Sequence, residues 1–143
     1  MTVPSSDEQE LEHWFFENIS TDKKQVFKKF EMTISVMQDA DSIRRVAYEA
    51  VEDLVEDGVV YGELRYAPLQ HLQGKLSSQE VVDAVSAGIK DGQKDFGGEF
   101  YTILCAMRQH KNSTEVAELA IKNFNNKVIG FDLAGPELSL IHI

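Results

Sequence analysis

The sequence has 143 residues, 43% hydrophobic, 27% charged and 9% aromatic, the composition of a folded domain rather than of a disordered or collagen-like segment. The 14 Lys and Arg against 24 Asp and Glu leave a formal charge of −10, which repels a phosphate backbone and argues against a nucleic-acid partner. A single cysteine, Cys105, excludes an internal disulfide, the four histidines (His13, His71, His110, His142) lack zinc-site spacing, and neither an export signal nor a membrane-spanning run is present, so a reducing, cytoplasmic setting is expected.

Residues 1–20 form an N-terminal segment with an aromatic cluster, Trp14, Phe15 and Phe16, and Ser20, Thr21 and Asp22 offer N-cap chemistry for a helix over about 22–38. A second helix runs from Asp41 and Ser42 to about Asp57. Ile43, Val46, Ala47, Ala50, Val51, Leu54 and Val55 recur there at the spacing of one buried stripe, and Gly58 stands where a helix stops. Val59 to Ala67 is short, rich in β-branched and aromatic residues, and closed by Pro68, which reads as a strand. Ser77 and Glu80 make a capping box ahead of Val81, Val82, Val85 and Ile89, predicting a helix over about 78–95 that ends at Gly97 and Gly98. Phe100 to Met107 reads as a strand apolar on both faces. Ser113 is expected to cap a fourth helix carrying Val116, Leu119 and Ala120, and Val128 to Ala134 is a third strand.

Helices between strands leave chain enough for crossovers and too much for hairpins, so the order is β-α-β-α-β. Periodicity allows a doubly wound sheet or a (β/α)8 barrel. In either, function collects at the C-terminal strand ends. The first end offers Glu63 and Arg65, adjacent on one face and expected to form a structural ion pair. The second offers Arg108 and His110, expected on a solvated loop. The third offers Asp132, an acid between Phe131 and Leu133 that needs a partner if buried, and Gly135, where backbone could approach a ligand with no Cβ in the way. Cys105 reads as an inert core thiol. No glycine-rich dinucleotide or P-loop motif is present.

Four stretches, GVVYGELRYAP at 58–68, GKLSSQEVVDAV at 74–85, FYTILCAMRQ at 100–109 and VIGFDLAGPE at 128–137, together with VFKKF at 26–30, resemble successive motifs of the adenosine deaminase family. The resemblance covers roughly residues 21–137. It implies a zinc-dependent purine nucleoside deaminase, adenosine going to inosine and ammonia, and a partial (β/α)8 barrel of about three parallel strands, family strands 2 to 4, with flanking helices. In such a family the metal turns water into hydroxide. The His-x-His, the His-Ala-Gly-Glu stretch and the late Asp-Asp that the resemblance leads one to seek are missing here, so neither catalytic residue nor metal ligand is assigned and no zinc is expected on this chain.

The resemblance also implies roles for particular residues. Gly135 would bring a backbone N–H to the purine ring. Val26, Phe27 and Phe30 would form an apolar lid over the substrate, and Asp132 and Arg108 would shape the pocket. An adenine or AMP deaminase relative and a non-catalytic α/β binding module are the alternatives. Leu138 to Ile143, LSLIHI, departs from the family pattern and is expected to be a non-native tail, so His142 is not counted as a ligand. Three barrel strands with open edges also predict poor behaviour as a monomer.

Overall fold

Alternation between helix-period and strand-period segments gives this chain its order of elements. In the computed structural model, residues 5–16 and 23–135 are described, except for the side chains of residues 23–27. The chain divides into two compact units after Met37. The first holds helices α1 (Glu8–Phe16) and α2 (Lys23–Ser35). α1 was not legible in the sequence pattern, because its moment is weak and no residue of it is buried. It starts where Asp7 accepts a hydrogen bond from the Glu10 N–H at 3.0 Å, the N-cap bond of a helix start. Lys29 of α2 donates from Nζ to the Phe15 carbonyl at 2.6 Å and stands 5.8 Å from the Trp14 ring centroid. α2 ends three residues before the expected 38. The proposed caps Ser20 to Asp22 and the tail 138–143, with His142, lie outside the described residues.

The second unit begins at Gln38 and contains helix α3 (Ala40–Glu56), strand β1 (Tyr61–Tyr66), a short 3-10 turn (Pro68–His71), helix α4 (Ser78–Phe96), strand β2 (Glu99–Met107), helix α5 (Ser113–Lys122) and strand β3 (Val128–Ala134). The strands form one parallel sheet in the order β1-β2-β3, the arrangement of successive strands in a (β/α)8 barrel. Asp39 caps α3 by accepting from the Ser42 N–H at 2.8 Å, so the helix starts slightly before the expected residue. Ile43, Ala47 and Val51 are buried on it, whereas Val46 is 44% exposed and leaves the expected stripe. The capping box at α4 is formed in full by Ser77 and Glu80. At α5 the expectation fails. Asn112, not Ser113, occupies the N-cap position and its side chain makes no capping bond.

The apolar core lies on one side of the sheet. Val82 from α4, Leu104 and Ala106 from β2, Val116, Leu119 and Ala120 from α5 and Val128 from β3 form one buried cluster, with Tyr66 and Leu69 packed against it. Phe100, Ile89 and Val51 are fully buried as well. Burying this many aliphatic side chains, each contributing about 1.5–3 kcal/mol relative to exposure, accounts for the cohesion of the second unit. β2 is not equally buried on both faces, as its sequence suggests it would be, although Cys105 on the second face is buried. Phe100, Thr102, Leu104 and Ala106 are buried, and Tyr101 and Ile103 on the other face are only partly covered.

Candidate functional site

A parallel sheet places paired residues on the same face, and the register gathers polar side chains on the side away from the core. Tyr61, Glu63 and Arg65 of β1 stand opposite Glu99, Tyr101 and Ile103 of β2, and Cys105 of β2 stands opposite Asp132 of β3. This face therefore runs from aromatic and acidic residues at the start of the strands to Arg65 and Asp132 near their C-terminal ends. Glu63 accepts from the Tyr61 hydroxyl at 2.7 Å, and Glu99 accepts from the Tyr101 hydroxyl at 2.5 Å. Carboxylates beside them push both phenols above their ordinary value, so the tyrosines act here as neutral donors.

The expected Glu63–Arg65 ion pair is not formed. Arg65 donates from Nη1 to Oδ2 of Asp132 across the sheet instead, while Glu63 accepts from the Tyr61 hydroxyl. Asp132 is thus partnered, yet it is not buried. Its side chain is 38% exposed. A backbone hydrogen bond from Leu133, followed by the Arg65 guanidinium, holds its carboxyl below the ordinary range.

Beyond the strands, Gly135 has φ +127°, a conformation that glycine reaches without a Cβ clash. A Cβ added there would lie 2.6 Å from Oε1 of Gln109 and 3.2 Å from the backbone nitrogen of Arg108. The two strand-end loops are therefore in van der Waals contact, and the Arg108 N–H donates to the Ala134 carbonyl at 2.7 Å. Arg108 and His110 are exposed on the loop after β2, as expected. Arg108 also acts on Asp132 through its charge. Cys105 is 4% exposed, and burial pushes its thiol up first of all, which fits an unreactive core sulfur.

Between the turn after β1 and the loop after β2 lies a cavity of about 120 Å³ lined by Ala67, Gln70, Cys105, Met107, His110 and Asn112, among others. It is well below the roughly 300–1,000 Å³ of a ligand pocket. In sequence Pro68 marks only the stop of the strand, and nothing local signals the turn that follows it. Phe30 is 61% exposed on α2, and the side chains of Val26 and Phe27 lie outside the described residues. Among the described residues no three His, Cys, Asp or Glu side chains converge on a point that could hold a metal.

A parallel three-stranded sheet with its core on the helix side, polar groups on the opposite face and a glycine turn at the strand ends is the arrangement of a segment of a (β/α)8 barrel. The adenosine deaminase family profile matches residues 1–142, and the chain belongs to that family. It is 43% identical over 141 residues to an adenosine deaminase of Mycobacterium avium, an alignment covering 94% of this chain and 38% of that protein. Its fold is similar to that of Arabidopsis ADAL complexed with IMP, at 26% identity and TM-score 0.76 over 91% of this chain and 41% of the other. It is similar also to that of an adenine deaminase from Arthrobacter aurescens, at 18% identity and TM-score 0.80 over 97% and 42%. The chain thus spans about two-fifths of the length of the relatives it matches.

Proposed function

We propose that the protein is an adenosine deaminase, converting adenosine to inosine and ammonia in the cytoplasm as part of purine metabolism, and that residues 58–135 supply one side of its purine site. The observation that carries this is the Gly135 turn at the end of β3, held against the loop of Arg108 in a family member. The missing Cβ lets the Arg108–Gln109 loop close on Gly135, which holds in place the strand-end backbone that would face the edge of a purine ring. The same reading assigns Asp132 and Arg108 to the pocket wall, and the family resemblance assigns Val26, Phe27 and Phe30 to an apolar lid.

The family reading implies zinc, which would supply an activated water when bound. The described residues do not fit a zinc centre: His71 is buried in the turn after β1, His110 sits on an exposed loop, and neither is grouped with two further donors. In this reading the metal's ligands lie outside the described residues. What this segment contributes is contact and shape. Among the described residues no helix is long and apolar enough to cross a membrane, and the net charge of −10 favours a small-molecule purine substrate over nucleic acid.

The test is a chimera in which residues 38–135 replace the matching segment of the Mycobacterium avium enzyme. Deamination of adenosine with kcat/KM within about tenfold of the host, abolished by a chelator, is the expected result. A folded chimera that spares adenosine, or that prefers adenine or AMP, overturns the proposal.

A further inference from the structure

We infer that Arg65 is a positioning residue for the purine site, fixing the end of β3, and with it the Gly135 backbone, through its pairing with Asp132; this rests on the function proposed above. Arg65 belongs to β1 and Asp132 to β3, with β2 between them. The pair crosses two strand spacings, roughly 9–10 Å of sheet. In register, Arg65 is opposite Ile103 and Asp132 is opposite Cys105, so the guanidinium reaches diagonally past β2 beside the small side chain of Cys105. A larger residue there would stand in its path.

Stability is a poor reason for this contact. The two side chains are 56% and 38% exposed, and exposed ion pairs add little to folding. Position is a better one. On the opposite face of β3, Phe131 and Leu133 are 45% and 43% exposed, so the end of the strand is only loosely packed among the described residues. Its ladder to β2 and the Arg108 N–H bond to the Ala134 carbonyl hold it from one side. Arg65 adds the tie to the far strand. Asp132 is three residues before Gly135, and a displacement of about 1 Å in a substrate-positioning group is enough to cost an enzyme heavily.

Two measurements test this. In the full 143-residue chain, Arg65→Gln and Asp132→Asn should each speed hydrogen exchange at the amides of Leu133 to Gly135 by about tenfold while the amides of β1 and β2 are unchanged, and the double variant should do no more than either single one. In the chimera, Arg65→Gln should raise KM for adenosine by about tenfold with kcat within about twofold, and Arg65→Lys, which keeps the charge, should recover part of the loss. Unchanged exchange at 133–135, a uniform increase along the chain, or additive effects in the double variant overturn the inference. So does a fall in melting temperature with KM unaltered. If the exchange pattern is as expected and the chimera without substitutions does not deaminate adenosine, the tie stands and the proposed function falls.

Discussion

Replacing Gly135 by alanine imposes two separable costs. Backbone φ of +127° is a region that residues with a Cβ avoid, and the strain is roughly 1–2 kcal/mol. The new Cβ would also meet Oε1 of Gln109 at 2.6 Å, with the Arg108 nitrogen at 3.2 Å and Arg108 Cβ at 3.5 Å. Gln109 is exposed and the atom in question is the far end of its side chain, so it can swing away at small cost. The Arg108 distances are tight but tolerable. Backbone strain therefore dominates, and Gly135→Ala in the chimera should lower the unfolding free energy by about 1–2 kcal/mol. Adding Gln109→Ala should restore less than half of that. Urea unfolding of the two single variants and the double gives the partition. At a temperature where all are folded, KM for adenosine should rise in Gly135→Ala whether or not Gln109 is present. Full recovery of stability by Gln109→Ala would refute the backbone account. Unchanged KM would remove Gly135 from the purine site and leave it a structural glycine.

Three further outcomes are expected. Gly88→Ala should destabilise the chain, because its Cβ would sit 2.2 Å from the Arg44 carbonyl oxygen of α3 and 2.9 Å from Ala47 Cβ; overpacking of about 1–3 kcal/mol against immovable backbone exceeds the gain of about 1 kcal/mol in helix propensity, and a higher urea midpoint would show the α3–α4 approach to be looser than this. Asp132 has its carboxyl depressed below the ordinary 3.8, so its contribution to stability is present above that value and is lost as pH falls through the lower folded value. The difference in urea midpoint between wild type and Asp132→Asn should accordingly be constant above about pH 5 and shrink as pH falls through the lowered folded value, and a difference that grows on acidification would contradict the sign. The 143-residue chain alone should self-associate, since among the described residues β1 and β3 each have one unpaired edge in the sheet and Phe131 and Leu133 are half exposed; a sharp monomer peak in size-exclusion chromatography with a single cooperative urea transition would show that the three strands suffice by themselves.

Local signals were legible because their causes are local. The Ser77–Glu80 capping box closes within one turn, and the burial of Val81, Val82, Val85 and Ile89 follows from a stripe that α4 carries in its own sequence. β3 runs from Val128 to Ala134 as its composition says. The motif order along residues 58–137 was enough to place the chain in its family, which the profile match over residues 1–142 then established. Weakly amphipathic α1 and the Pro68–His71 turn carry no comparable pattern, and both were missed.

Partner choice was decided elsewhere. Glu63 and Arg65 are two residues apart, and the sequence pairs them; the sheet gives Glu63 to Tyr61 and Arg65 to Asp132, 67 residues away. That assignment depends on strand order and register, which arise only when α4 and α5 bury their stripes against the same side of the sheet and leave the other face to the polar residues. The close approach of α3 to α4 at Gly88 has the same origin. A sequence specifies which residues prefer to be helix, strand or cap, because each preference is settled within a few residues. Which charges meet, and which glycine must stay small, depends on distances between segments that come together only in the folded chain.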